Sequence, residues 1–142
     1  MSALDRLLPK FLLAFSAFLL LWGLLGLLEY FFQSLSLGLQ NSSFPDGLQF
    51  AHFFAIMLTG AVFIFGYLGK WPHTPYVTIT MYAVLATLCF VEVMDFGAFG
   101  GGATGVLTML LEYATYVGLS TYLLRSTAMR HHFGNALHTS KK

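Results

Sequence analysis

The chain has 142 residues, of which 57% are hydrophobic and only 9% are charged. Water-soluble domains carry roughly 25% charged residues, so this composition indicates a single-domain membrane protein. The net charge of +1 gives no reason to expect a nucleic-acid partner. The single cysteine, Cys89, excludes a disulfide, a CxxC redox pair and a cysteine-based zinc site within one chain.

Four segments are long and apolar enough to cross a bilayer, which takes about 20 apolar residues. They are residues 11–32, 48–68, 76–94 and 103–124. The first follows Arg6 and Lys10 but is too long for a signal-peptide core, so we expect an uncleaved span. The fourth is the least apolar because Glu112 interrupts it. Since backbone groups in lipid must be hydrogen-bonded internally, the predicted fold is an all-α bundle of four transmembrane helices.

Local signals predict where some of these helices begin and end. Asp46 followed by Gln49 predicts a capping box at the start of the second helix. Thr74 before Pro75 predicts an N-cap with proline at the first helical position of the third. The consecutive glycines 100–102 favour a flexible hairpin tip between the third and fourth helices. The alternative, close helix packing through small residues four apart, would use Gly97, Gly101 and Gly105.

All Lys and Arg residues fall on one side of such a bundle, at the two termini and in the loop between the second and third spans. They are Arg6, Lys10, Lys70, Arg125, Arg130, Lys141 and Lys142. Positive charge in short loops marks the cytoplasmic face, so both termini are predicted to be cytoplasmic. Residues 125–142 are then a hydrated, basic cytoplasmic tail. We expect a bacterial inner membrane or an organelle membrane.

Acidic and histidine side chains gather in the outer half of the predicted bundle. Glu29 lies near the outer end of the first span, and His52 lies in the outer first turn of the second. Glu92 and Asp95 share a face of the third span, because residues three apart on a helix are neighbours. Glu112 lies ~12 Å below the outer surface in the fourth span, at 1.5 Å per residue.

Two interpretations of these groups stay open. Groups near the interface are hydrated at little cost, but an ionised acid as deep as Glu112 costs several kcal/mol unless it finds a partner or takes up a proton. It is either a protonated structural acid or the floor of an outward-facing ligand pocket. Its candidate partners as a structural acid are Tyr113, Tyr116, Thr108, Thr115 and His52. The pocket would be lined by Glu112, Glu92, Glu29, His52, Asp95 and Tyr116, and would suit an amine, a proton, or the head group of a quinone or sterol.

No catalytic residue, metal site or dedicated cofactor is predicted. The carboxylates and His52 include no Glu-x-x-His pair, and His52 is the only histidine within a span, which excludes haem held by two histidines. His131, His132 and His138 belong to the tail and have no acidic or cysteine ligands nearby. A bound lipid, quinone or pigment stays open.

The segments FLLLWGLLGLLEYFFQ and GAVFIFGYLGKWP resemble DoxX-type small membrane proteins. The resemblance implies a four-span chain with a longer first outer loop and a short inner turn between the second and third spans. It also implies a role in quinone-coupled sulfur oxidation or as a membrane accessory protein. The lysine that the family carries after the first-span glycines is absent, with Glu29 nearby instead, so no site residues are transferred.

We therefore expect a small non-catalytic membrane protein that serves as an accessory or assembly subunit of a larger, energy-transducing membrane complex. Its partners would be membrane lipid and other membrane subunits, and the basic tail would meet anionic lipid or an acidic partner surface. One alternative is a binder or transporter of a small cationic or amphipathic ligand through the acidic pocket. Another is a DoxX-like component of a quinone-linked oxidoreductase.

Overall fold

A computed structural model describes residues 3–32, 34–40, 42–98 and 102–139, with side chains between residues 7 and 134. These residues form five helices and no strand: α1 (Ala3–Phe31), α2 (Asp46–Leu68), α3 (Thr74–Phe96), α4 (Gly102–Arg125) and α5 (Thr127–Thr139). Three of the described helices, α1 from Leu7, α2 and α3, are long and apolar enough to cross a membrane, which indicates a membrane protein. Helix α4 has 24 residues but is less apolar.

Helices α1 and α2 pack backbone to backbone along a seam of glycines. A Cβ atom at Gly60 would meet the backbone of Ser16, and one at Gly23 would meet the backbone of Met57. The larger residue number of one helix pairs with the smaller number of the other, so the two helices are antiparallel. Only glycine allows this approach, because any side chain at these positions would occupy the space of the neighbouring backbone.

Consecutive helices pack against each other. Their connecting segments therefore lie at two opposite ends of the bundle. At one end, termed the loop end, lie the described residues between α1 and α2 (34–40 and 42–45), the end of α3 and the start of α4. At the opposite end, termed the turn end, lie the α2–α3 turn at residues 69–73 and helix α5. The antiparallel order extends to α3 and α4, where Tyr82 stacks on Tyr116 and Cys89 contacts Glu112.

The core lies between the four long helices and has two parts. The larger part is centred on fully buried side chains from three helices, among them Leu12, Phe63, Tyr82 and Leu85. The smaller part lies between α3 and α4 toward the loop end and contains Cys89, Val93, Ala98 and Met109. Most large apolar side chains outside these clusters are exposed, as lipid-facing side chains of a membrane bundle are.

The predicted helix starts are each wrong by one residue. Pro45 occupies the N-cap position of α2, and its carbonyl accepts the N–H of Gln49 at 2.9 Å, so Asp46 is already helical and no capping box forms. His73 holds the N-cap position of α3, and Thr74 instead donates its hydroxyl to the Trp71 carbonyl at 2.6 Å. Pro75 is therefore the second residue of α3, one position later than expected, and still lies in the first turn.

The glycine-rich connection between α3 and α4 is a turn over the part that the structure describes. Gly97 ends α3 in the left-handed conformation, with φ of 62°, and its N–H donates to the Glu92 carbonyl. Gly102 begins α4 with φ of 56°. Both conformations favour glycine because it has no Cβ atom. Gly100 and Gly101, part of the expected hairpin tip, lie outside the described residues.

The segment expected to be a hydrated basic tail folds back on the bundle as helix α5. Met129 and Phe133 are buried and belong to the larger core. The ring of His132 stacks on Tyr67 at a centroid distance of 4.0 Å, and its Nε2 lies 2.8 Å from the Tyr67 carbonyl oxygen. His132 is therefore a packing residue at the end of α2, while residues 140–142 lie outside the described residues.

Candidate functional site

Glu112 accepts hydrogen bonds from two side chains, one of them on a neighbouring helix. The Tyr116 hydroxyl donates to Oε1 at 2.6 Å, and the Cys89 thiol of α3 donates to Oε2 at 3.0 Å. Tyr116 was among the candidate partners, whereas Cys89 was not. The other candidates on α4 are engaged elsewhere: Tyr113 donates to the Ala86 carbonyl, and Thr108 and Thr115 donate to carbonyls of their own helix.

His52 and Glu92 form a pair at the loop end of the bundle. His52 Nδ1 lies 3.0 Å from Glu92 Oε2, and the two side chains are only 17% and 12% exposed. Phe44, from the segment before α2, is buried with its ring edge-on to His52. A carboxylate on Nδ1 orients the imidazole and leaves Nε2 as the nitrogen that can meet another group.

Glu29 has a different role from the one expected. It is 6% exposed, and its carboxylate accepts the backbone N–H groups of Gly38 and Leu39 at 2.8 and 2.9 Å. Glu29 therefore fixes the loop between α1 and α2 and does not face Glu112. Asp95 is exposed at the end of α3. The six residues proposed from the sequence thus divide into two clusters, one loop anchor and one surface acid.

A cleft of about 290 Å³ brings parts of both clusters together. His52 of α2 and Glu112 and Tyr116 of α4 contribute to its wall. The opposite wall is an aromatic stripe on α1, which consists of Phe15, Phe18 and Trp22. The i, i+3, i+7 spacing of that stripe is the sequence signal that could have predicted this wall.

The cleft opens sideways, between α1 and α4. Phe18 and Trp22 at its edge are 54% and 40% exposed, and Thr115 on the α4 side is exposed as well. In a membrane-spanning bundle this edge faces lipid. The pocket that the sequence predicted, open toward water at the outer end, stays a prediction, and the exposed edge of this cleft lies between α1 and α4.

The chemistry of the cleft is set by the acceptor oxygens of Glu112 and by the imidazole of His52. A carboxylate has about four acceptor sites, of which the two contacts to Glu112 use two, so capacity remains for a ligand donor. No Lys or Arg lines the cleft to attract an anion. In the described part of the chain, no three His, Cys, Asp or Glu side chains come together as metal ligands would.

Comparisons with protein-family models, with curated protein sequences and with solved structures find no match. The resemblance to DoxX-type proteins therefore stays a prediction. Any functional proposal for the chain depends on the geometry and chemistry of the cleft and of the helix surfaces.

Proposed function

We propose that the chain is a four-span integral membrane protein with both termini on the cytoplasmic side. Helix α4 is long enough to span, and it packs antiparallel to α3, one of the three more apolar helices. Its acid, Glu112, is offset by two hydrogen-bond donors, which lowers the cost of placing it in a bilayer. The loop end of the bundle is then the outer end, and the turn end is cytoplasmic.

We further propose that the protein is a non-catalytic binder of an amphipathic molecule that is dissolved in the membrane. The observation that carries this proposal is the lateral cleft between α1 and α4, which combines an aromatic wall with His52 and Glu112. A ligand with an apolar body would enter from lipid, and its head would meet the two polar side chains. Because Glu112 supplies acceptor oxygens and no Lys or Arg is among the described residues of the wall, the head is cationic or a hydrogen-bond donor.

Tryptophan fluorescence tests this proposal directly, since Trp22 lines the cleft and Trp71 is the only other tryptophan. In the Trp71→Phe variant, Trp22 reports alone. The protein in lipid nanodiscs is titrated with dodecylamine, dodecanol and dodecanoate, which share a chain and differ in the head. We expect a saturable change in Trp22 emission that is tightest for the amine, weaker for the alcohol and absent for the carboxylate.

A pair of acid-to-amide variants provides the control. Glu112→Gln should weaken dodecylamine binding by roughly 10- to 150-fold, because a hydrogen bond to a charged group contributes ~1.5–3 kcal/mol. Asp95→Asn, which changes an exposed acid outside the cleft, should leave binding unchanged. Equal responses to all three amphiphiles, or equal effects of the two variants, would show that Trp22 senses only the amphiphile in the bilayer.

A second candidate function, as an accessory subunit of a membrane complex, is favoured by a groove on the flank formed by α3 and α4. This groove has a volume of about 310 Å³, and its lining includes the small residues Ala83, Ala86 and Ser120. Small residues let a helix from another protein approach closely. Ala83→Phe, at an exposed position of this groove, should then reduce co-purification of native membrane partners without loss of stability, and unchanged co-purification would count against this role.

A further inference from the structure

The turn end of the bundle contains a groove that the proposed ligand cleft does not use. Its volume is about 430 Å³, and it lies where α3 begins, α4 ends and α5 folds back. Pro72 and Tyr76 form one side, Leu124 forms the top, and Arg130 and Gly134 of α5 form the other side. The described side chains of the wall are apolar except for the Arg130 guanidinium and the Tyr76 hydroxyl.

Arg130 is held at this edge by the end of α4. Its Nε and Nη2 donate to the carbonyl oxygen of Leu124 at 3.3 and 3.2 Å. A guanidinium has five N–H donors, so these two contacts leave three for another group. The Arg130 guanidinium is therefore positioned by the fold, and its other N–H groups can donate hydrogen bonds to an oxyanion.

The electrostatic surroundings of the groove are positive. Residues 53–91 and 113–142 contain no Asp or Glu, and these stretches include every element that forms the groove. The nearest acid along α4 is Glu112, 13 residues before Arg125 and therefore ~20 Å away at 1.5 Å per residue. Arg125 and His131 add exposed basic side chains near Arg130. Among the described side chains that line the groove, Arg130 is charged and no acid is present to repel an anion.

We propose that this groove binds the head group of an anionic phospholipid, with the phosphate against Arg130. The groove opens beside Tyr76 and Leu124, which are 65% and 45% exposed on the lipid-facing flank of α3 and α4. A lipid can therefore place its phosphate at the groove and its acyl chains along that flank, which a soluble anion cannot do. Basic pockets at the cytoplasmic ends of membrane helices have this recognition chemistry. The proposal depends on membrane insertion but not on the amphiphile cleft.

Native mass spectrometry of the full chain, released from nanodiscs, measures which lipids stay bound. Nanodiscs of phosphatidylglycerol and phosphatidylcholine in equal amounts are used, so that the two lipids compete. We expect one phosphatidylglycerol molecule to be retained preferentially. Arg130→Gln should reduce that preference roughly fivefold, as expected for one basic side chain near a membrane surface, and Arg130→Lys should retain most of it.

Two glycine variants separate occupancy of the groove from the stability of α5. A Cβ atom at Gly134 would meet no other atom within 4 Å, and Gly134 lines the groove, so we expect Gly134→Leu to occupy the groove and abolish retention. Gly118→Leu, at an equally open position outside the groove, should have no effect. Equal retention of both lipids by the unmodified protein, or equal effects of the two glycine variants, would overturn the proposal.

One further experiment tests whether the groove binds a soluble anion instead of a lipid. Millimolar inorganic phosphate, added to the protein in detergent, should neither raise its thermal unfolding midpoint nor displace phosphatidylglycerol. Stabilisation of the protein by phosphate, or displacement of phosphatidylglycerol by phosphate, would show that the groove binds a free anion. Either result would overturn the phospholipid proposal. The outcome is independent of the amphiphile titration, because Arg130 and Gly134 do not line the cleft.

Discussion

Replacement of Glu112 by leucine removes the acceptor of two buried donors. Tyr116 and Cys89 are 7% and 2% exposed, and both donate to the Glu112 carboxylate. Leucine has a similar size but offers no acceptor, so the hydroxyl and the thiol lose these contacts. Glutamine keeps one carbonyl oxygen, and the Tyr116 hydroxyl can rotate to accept from its amide.

The size of the effect follows from the number of donors that lose their partner. A buried polar group without a partner costs ~1–3 kcal/mol, and a thiol is a weak donor that belongs at the lower limit. We therefore expect Glu112→Leu to lower the free energy of unfolding by roughly 2–4 kcal/mol. Glu112→Gln should lower it by less than about 1 kcal/mol.

The assay is unfolding in mixed detergent micelles, with tryptophan fluorescence as the readout. The decisive comparison repeats Glu112→Leu in a Tyr116→Phe background, where the phenol donor is already absent. There the leucine substitution should cost less by ~1–3 kcal/mol, because only the Cys89 thiol loses its acceptor. An equal cost in both backgrounds would refute the hydrogen-bond account, as would a glutamine variant as unstable as the leucine variant.

Three further predictions concern packing, the loop and topology. Gly60→Leu should lower the free energy of unfolding by ~1–3 kcal/mol or more in the same assay, because the new side chain pushes α1 away from α2. Gly118→Leu, at an open position, is the control and should have little effect. Glu29→Ala removes the acceptor of two loop N–H groups, so amide exchange at residues 38 and 39 should accelerate, and unchanged exchange would contradict the anchoring role. A cysteine at Ser42 should react with an impermeant reagent from outside, and one at Ser140 should not; the reverse labelling would invert the proposed topology.

The four long helices were predictable from the sequence because each coincides with an apolar run long enough to cross a bilayer, and the ends of the run approximate the ends of the helix. The predicted spans 48–68 and 103–124 differ from α2 and α4 by at most two residues at either end. Helix α5 was not predicted, because residues 127–139 are polar on most of their surface and were assigned to a hydrated tail. The signal was the pair Met129 and Phe133, which are four residues apart and therefore on one face.

The candidate site was predictable only in part, because its contacts cross between helices. The pair Glu112 and Tyr116 follows from i, i+4 spacing on one helix. The contact of Glu112 with Cys89 depends on how α3 and α4 are aligned, which spacing along the chain does not define. Glu29 was assigned to the pocket because the sequence does not define the conformation of the loop whose N–H groups donate to its carboxylate.

The glycine seam between α1 and α2 has a consequence for the order in which the protein is assembled. N-terminal segments of a chain are synthesised first, and these two helices contact each other through backbone and small residues. We expect them to associate as a hairpin before the rest of the chain has entered the bilayer. Helix α4, which carries Glu112, is then the last of the four long helices to enter the bundle. By then the Cys89 thiol of α3 is already in place to donate a hydrogen bond to the Glu112 carboxylate.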